Sequence, residues 1–266
     1  MRIGLITSDP GHPLLAATAA LLTPEHHVKT LDPESVTGNT GPGADVYLLK
    51  ARTPRALALA RDLERRGSPV VNSAAATTLC QDRTEMAARA RRAGLPFADT
   101  RTFATLARFA REPRLSGPVV VKSRHSRKHD LVARVDNDTQ LGKLAAAHPQ
   151  EPVVVQEFVA NSGWDHKLWA IGDRLFAALR RSELAPEGRG PTVPLALDDL
   201  PPGWPALVRR AGEVFALDVY GVDIIDTGGG APLIVDVNAF PGVRGQAGAP
   251  EALAALALSR TRAGTP

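Results

Sequence analysis

Over roughly the first 80 residues, short apolar runs alternate with longer segments whose apolar positions recur at helical spacing. Arg2 to Thr7 and Asp45 to Lys50 read as strands, and Pro69 to Asn72 as a shorter one. Leu14 to Leu22 and Pro54 to Arg66 read as helices, the second started by its proline. Strands alternating with helices in this way predict a small parallel α/β layer. Gln81 to Ala93 predicts a basic helix closed by Gly94. A second unit runs from about Phe97 to Glu151: strand, helix, strand Pro118 to Lys122, basic loop, strand Leu131 to Val135, helix Thr139 to Ala147. From Pro152 the pattern gives strands Val153 to Phe158, Lys167 to Ile171 and Arg174 to Leu179. Helix Gly203 to Ala216, a hairpin and helix Pro250 to Leu258 complete it, with an exposed loop expected over Pro186 to Pro205 and a frayed tail at the end. The expected division is therefore 1–95, 96–151 and 152–266.

The hairpin departs most from a plain apolar pattern. Within Tyr220 to Gly242 two β-branched apolar runs flank Gly228-Gly-Gly230, yet acids interrupt them at Asp223 and Asp236, with Asn238 two residues on. Residues two apart along a strand share a face, so Asp236 and Asn238 present their oxygens side by side, and Asp223 on the other arm reaches the same spot. Three hard oxygen ligands suit Mg²⁺, which takes one or two carboxylates plus substrate phosphates. The alternative is a solvated ribbon that happens to carry acids. It is disfavoured because Phe240-Pro-Gly follows directly and the arms are too apolar for a surface ribbon.

Composition narrows the partners. The chain has 266 residues, enough for one large domain or two to three small ones. Its one cysteine, Cys80, rules out a disulfide framework and a cysteine-based zinc site and fits a cytoplasmic location. No apolar run approaches the roughly 20 residues of a membrane span, and the N-terminus lacks a signal-peptide layout. A net charge of +4, carried mostly by arginine, suits an anionic ligand. Aromatics are few and no arginine stripe alternates with them, so a small-molecule phosphate is preferred to nucleic acid. No Gly-x-Gly-x-x-Gly follows the first strand, so a dinucleotide site is not supported.

Lys122 closes the run Pro118-Val-Val-Val-Lys, where its ammonium either reaches a phosphate or extends to solvent. The loop Ser123-Arg-His-Ser-Arg-Lys-His129 is dense in donors and, between two strands of a small unit, reads as a flap over phosphates. Val153 to Val159 turns polar at Gln156 and Glu157: either an ordinary strand end, or an edge that pairs with adenine while a carboxylate accepts ribose hydroxyls. Asp165-His-Lys167 opens the next strand and Arg180-Arg181 closes the one after it, bringing further cations to the same mouth.

Taken in order, Asp82-Arg83, strand-Lys122, Gln156-Glu-Phe-Val159, Asp165-x-Lys167, Arg180, Asp223 and Asp236-x-Asn238-x-x-Pro-Gly242 resemble the ATP-grasp superfamily over nearly the whole chain. The nearest branches are the ribosomal-protein-modifying and glutathione-synthase-like ligases and the inositol trisphosphate 5/6-kinases. The resemblance implies an ATP-grasp fold of mixed α/β (α+β) class: an N-terminal parallel α/β domain, a small lid domain and a C-terminal metal-binding domain. It further implies ATP contacts from Arg83, Lys122, His129 and Asp165, with Gln156, Glu157, Phe158 and Val159 as the adenine hinge. Asp223, Asp236 and Asn238 would bind magnesium, expected as two ions that manganese could replace. Lys167 and Arg180 would act catalytically on the γ-phosphate or acyl phosphate, while Lys50, Asp9, Gly242 and Arg244 would face the substrate. Partners would be small molecules, with no nucleic acid and no membrane, and a homodimer is the expected assembly.

Three departures bear on the branch. The basic loop holds no glycine, Pro186-Glu-Gly-Arg-Gly-Pro lacks the asparagine many ligases carry there, and Ser8-Asp-Pro-Gly-His lacks a lysine for a polyanion. Asp9 would tolerate an amino acid's ammonium. The preferred expectation is an ATP-dependent carboxylate–amine ligase working through an acyl phosphate to a dipeptide-like amide. A kinase acting on an inositol phosphate or similar polyol is the alternative. A nucleotide-binding module without turnover should have lost a metal ligand, and none is missing.

Overall fold

The buried runs near the N-terminus build a parallel sheet of β1 (Arg2–Ile6), β2 (His27–Leu31), β3 (Val46–Leu49) and β4 (Val70–Val71), ordered β2-β1-β3-β4. The computed structural model describes residues 1–36, 43–112, 114–127, 129–185 and 190–262. Helices α1 (Pro13–Leu22) and α2 (Pro54–Arg65) lie in the first and third connections of this sheet, and α2 starts where Thr53 Oγ1 accepts the Ala56 amide proton at 3.2 Å. All of β3 is buried, and β1 is buried beyond Arg2, as expected of parallel strands covered on both faces. Gly4 is required here: a Cβ would lie 2.3 Å from the Tyr47 ring on the paired strand. The sequence reading did not anticipate β2. It is an edge strand whose His-Val-Lys-Thr-Leu is largely exposed, so it lacks an apolar signal.

The chain leaves this sheet through α3 (Ala74–Leu79) and α4 (Arg83–Arg92). Asp82 caps α4, accepting the Thr84 amide proton at 2.9 Å, and Arg89, Arg91 and Arg92 complement its C-terminal dipole.

The central sheet is antiparallel: β5 (Thr100–Phe103), β6 (Val119–Ser123), β7 (Val132–Val135) and β8 (Val153–Glu157), ordered β5-β8-β6-β7. The short α5 (Leu106–Phe109) and α6 (Asp138–Ala147) supply Leu106, Phe109 and Leu141 to a core with Phe103, Val121, Val153 and Val155. β8 pairs with both β5 and β6, so the strand just beyond the expected 151/152 division belongs to this sheet.

The third sheet is also antiparallel: β9 (Trp164–Ile171), β10 (Arg174–Arg181), β11 (Thr192–Leu195), β12 (Val219–Asp226) and β13 (Pro232–Ala239), ordered β11-β10-β9-β12-β13. β11 lies inside the segment expected to be loop. Pro194 hid it, because proline in a strand is confined to edges, which is where β11 sits. Residues 186–189 of that expected loop, Lys128 of the basic loop and the final tail residues lie outside the described residues. Helix α7 (Trp204–Phe215) buries Trp204, Val208, Ala211 and Phe215 in a core shared with this sheet and α4. Helix α8 (Ala249–Arg262) turns back to the N-terminal unit, where Leu253 and Ala257 share a core with Leu14, Leu15, Ile171, Phe176 and Phe240.

Asn72 ties the first and third sheets together. Fully buried, it donates to Val219 O at 2.6 Å and accepts from the amides of Asp218 at 2.8 Å and Val219 at 2.9 Å.

Candidate active site

Period-two alternation sorts the third sheet into an oily face and a charged one. On one face Leu168, Ala170, Ala177, Val222, Ile224 and Val237 join the core under α7. The opposite face carries cross-strand neighbours in register: Arg180 opposite Asp165, Lys167 opposite Asp223, and Asp223 opposite Asp236. Asn238 follows on the same face, opposite Gly221. Gly221 permits close packing there, since a Cβ would meet Trp169 at 3.0 Å and Pro241 at 3.3 Å. The hairpin turns through Gly228, Gly229 and Gly230, all at positive φ, with Asp226 Oδ1 accepting the Gly228 amide proton at 2.8 Å.

The pairing of β12 with β13 shifts between Asp223 and Ile224, leaving Val235 as an extra residue. Its carbonyl accepts a 2.8 Å hydrogen bond from Lys122 Nζ, reaching over from β6 of the central sheet. Lys122 is buried, and burial lowers its pKa against the raising influence of Asp236. Beside it, Arg83 from α4 spans Asp130 Oδ2 at 2.6 Å and Asp236 Oδ2 at 3.3 Å, with Ser123 O at 2.8 Å. Burial works against the Arg83 charge, but Asp236 and Asp130 outweigh it and raise its pKa. Lys167 lies 2.8 Å from Asp223 Oδ2 and 3.3 Å from Asp165 Oδ2.

These groups line a cavity of about 1020 Å³ between the central and third sheets, with His12, Lys50 and Arg52 contributed by the connections of the N-terminal sheet. Gln156, Glu157, Phe158 and Val159 line it from the end of β8; the Gln156 side chain is buried and donates to Thr100 Oγ1 at 3.0 Å. Arg180 lines it with its buried Nε unpartnered. At the other end stand Lys50, Gly242 and Arg244. Lys50 Nζ donates to Phe240 O at 2.7 Å, and burial, then Arg52 and Arg244, push its pKa down to about 8.

Two of the expected site residues are not brought in. Asp9 is exposed and outside the lining, although its charge reaches Lys50 and His12. His129 is exposed, at φ 60°, and also outside the lining.

The basic loop read as a flap over phosphates is tied to neighbouring elements at three of its residues. Arg124 forms a bidentate pair with Asp82 at 3.0 and 2.7 Å, and Arg127 reaches Glu151 at 2.8 Å. The Ser126 amide donates to Gln81 O at 2.8 Å. Arg124 and Arg127 thus have partners distant in the chain, which a local reading does not see.

Conversely, sequence reasoning missed His12, Arg52, Asp130 and Arg134, all of which line the cavity. Arg134 stacks 3.9 Å from the Phe158 ring centroid. Asp130, an acid at the end of a basic loop, was the one with a legible signal.

The donor set fits a hard divalent cation: two carboxylates on adjacent strands and an amide oxygen two residues on, partly exposed to the cavity. Among the described residues no group of three His, Cys, Asp or Glu could hold a metal, so the third protein ligand would be the amide of Asn238.

Comparison with known proteins agrees with this architecture. Residues 98–251 match the RimK-like ATP-grasp domain family. A probable alpha-L-glutamate ligase of Rhodopirellula baltica is 36% identical over 103 residues, covering 36% of this chain and 24% of that protein. Probable alpha-L-glutamate ligase 2 of Hahella chejuensis is 32% identical over 136 residues, covering 48% of this chain and 44% of that protein. The chain thus spans less than half the length of either relative. Among solved structures, a RimK domain ATP-grasp protein from Sphaerobacter thermophilus superposes with a TM-score of 0.76 at 22% identity, covering 97% of this chain and 100% of that one. D-Alanine–D-alanine ligase of Bacillus anthracis, complexed with ATP, gives 0.72 at 15% identity over 99% and 96%. A hydroxyl kinase has no counterpart among these named proteins. No helix among the described residues is long and apolar enough to cross a membrane.

Proposed function

The chain belongs to the RimK-like ATP-grasp family, and on that premise we propose that it is an ATP-dependent, ADP-forming carboxylate–amine ligase. The observation that carries the reading is the in-register charged face, Arg180–Asp165 beside Lys167–Asp223–Asp236, with Asn238 on the same face and Lys122 above it. Such a face suits a triphosphate: acids for its metal, cations for its oxygens, and an apolar back that fixes every position.

In this proposal Gln156 to Val159 bind the adenine edge, and Phe158, stacked by Arg134, closes that end. Lys122 contacts the phosphates from its seat on Val235, with Arg83 held beside it. Asp223, Asp236 and Asn238 hold Mg²⁺, two ions with manganese as a substitute, and the metal when bound supplies charge cancellation on the phosphates. A substrate carboxylate attacks the γ-phosphorus, forming an acyl phosphate and releasing ADP. Arg180 and Lys167 neutralise the charge on the transferring group. An amine then attacks the acyl carbon and phosphate departs with the electrons of the broken C–O bond.

Glutamate is the first carboxylate to test, since the relatives named above are probable alpha-L-glutamate ligases. The proposed setting is cytoplasmic, consistent with one buried, free cysteine, and the proposed assembly is a homodimer. The test is a phosphate-release screen of amino acids, alone and in pairs, run beside a screen of polyols. Phosphate release that needs both a carboxylate and an amine, with a new amide in the mass spectrum, supports the ligase. A phosphoryl mass gain on a polyol, with no free phosphate, replaces it with the kinase.

A further inference from the structure

The loop after β13 carries two residues in the left-handed region, Phe240 at φ 46° and Val243 at φ 41°, which residues with side chains rarely adopt. Gly242 lies between them. A Cβ built there would meet His12 Nε2 at 3.5 Å, Arg244 Cγ at 3.5 Å and Arg244 Nε at 3.6 Å. The missing side chain therefore leaves a slot with an imidazole on one wall and a guanidinium on the other, and all three residues line the main cavity.

Neither side chain has a hydrogen-bond or ion-pair partner among the described residues. His12 is 8% exposed, and its Nδ1 is buried without a hydrogen-bond partner, which calls for an explanation. Among the described residues the Arg244 side chain makes no ion pair or hydrogen bond. The cavity's best-placed carboxylates are already engaged: Asp165 and Asp223 hold Lys167, and Asp130 and Asp236 hold Arg83. The charged groups facing His12 are Lys50 from the end of β3, Arg244 from the loop itself, and Asp9 from its own loop. Burial, then Lys50 and Arg244, outweigh Asp9 and hold the imidazole below its ordinary pKa of 6.5, so it is uncharged at neutral pH.

An amino acid enters solution as an ammonium, and an ammonium has no lone pair for an acyl phosphate. We propose that His12 is a catalytic base: the slot over Gly242 seats the acceptor amino acid, with Arg244 holding its carboxylate and His12 taking a proton from its ammonium. The proposal rests on the ligase reading. The proton passes from nitrogen to the imidazole, giving a neutral amine and an imidazolium. The amine's lone pair forms the C–N bond, and the C–O bond to phosphate breaks with its electrons leaving on inorganic phosphate. The nitrogen's second proton goes to that phosphate, and the imidazolium returns its own to solvent.

The experiment compares two nucleophiles at pH 7 in wild type and His12→Gln. One is the best amino-acid acceptor from the screen. The other is hydroxylamine, which is already unprotonated and needs no base. His12→Gln is expected to lose about 10²–10³-fold in kcat with the amino acid, the range general-base catalysis supplies. Hydroxamate formation should stay within about threefold of wild type, which also shows that the variant is folded and activates its carboxylate. Raising the pH toward the amine's own pKa should rescue the variant selectively. Equal losses with both nucleophiles, or no loss with the amino acid, overturn the assignment. A wild-type protein that makes neither amide nor hydroxamate overturns the ligase premise, and the role of His12 with it.

Discussion

Lys167→Met removes the ammonium that sits between two carboxylates on the charged face. Its side chain is 7% exposed, against 13% for Asp165 and 21% for Asp223. With contacts at 2.8 and 3.3 Å, the gross attractions are roughly 5–6 kcal/mol each at an effective dielectric near 20. Most of that offsets the cost of drawing three charges out of water. What the substitution exposes is the uncompensated repulsion and desolvation of the two acids. Breaking a buried pair costs about 3–5 kcal/mol, and the partial exposure of Asp223 argues for the lower end, about 3 kcal/mol. At about 2–4 °C per kcal/mol for a large domain, the melting temperature should fall by about 6–12 °C. Thermal melts with and without magnesium give the assay. If Asp223 and Asp236 can take a divalent ion, magnesium should recover more of the melting temperature in the variant than it adds to wild type, because the competing ammonium is gone. A drop under 2 °C, or a magnesium shift no larger than that of wild type, would refute the reasoning.

Asn72→Ala removes three hydrogen bonds to buried backbone groups and should cost about 3–5 kcal/mol in urea unfolding, one to three per orphaned group with partial relaxation; a cost under 1 kcal/mol would mean the tie between the sheets is dispensable. Lys50, with its pKa near 8, loses its charge as pH rises, so the KM for an anionic substrate should climb through pH 8 and above in wild type. Lys50→Arg, charged throughout, should flatten that rise, and an identical rise in both would remove Lys50 from substrate binding. Cys80 is buried and its thiol pushed up to about 12, chiefly by burial with help from Asp236, so maleimide should label it only in denaturant. Rapid labelling of the native protein would contradict the packing of that core.

The sequence was informative wherever chemistry interrupted a regular pattern. Asp223, Asp236 and Asn238 stood out because acids broke β-branched runs, and period-two geometry alone placed them on one face. Lys122 was visible as a cation closing an apolar strand, although the bulge carbonyl of Val235 that seats it was not. Edge strands escaped notice: β2 buries little beyond Leu31, and β11 contains Pro194, so neither carries the alternation that marks a half-buried strand. Long-range partners were likewise invisible. Arg83 meets Asp130 47 positions away and Asp236 153 positions away. The loop cations 124 and 127 are quenched by Asp82 and Glu151, and His12 gains its position only from the fold of the loop after β13. Asp9, read as a substrate contact, falls three residues short of the group that lines the cavity.

The central claim is that a substrate carboxylate is phosphorylated before the amine attacks. Its most direct measurement follows oxygen. The carboxylate most active in the screen is labelled with ¹⁸O on both oxygens and incubated with Mg·ATP and the acceptor amine, and the released phosphate is analysed by mass. An acyl phosphate transfers one carboxylate oxygen to phosphorus, so each phosphate should carry one ¹⁸O and the amide should retain the other. Phosphate without label, at a rate matching amide formation, would contradict the account.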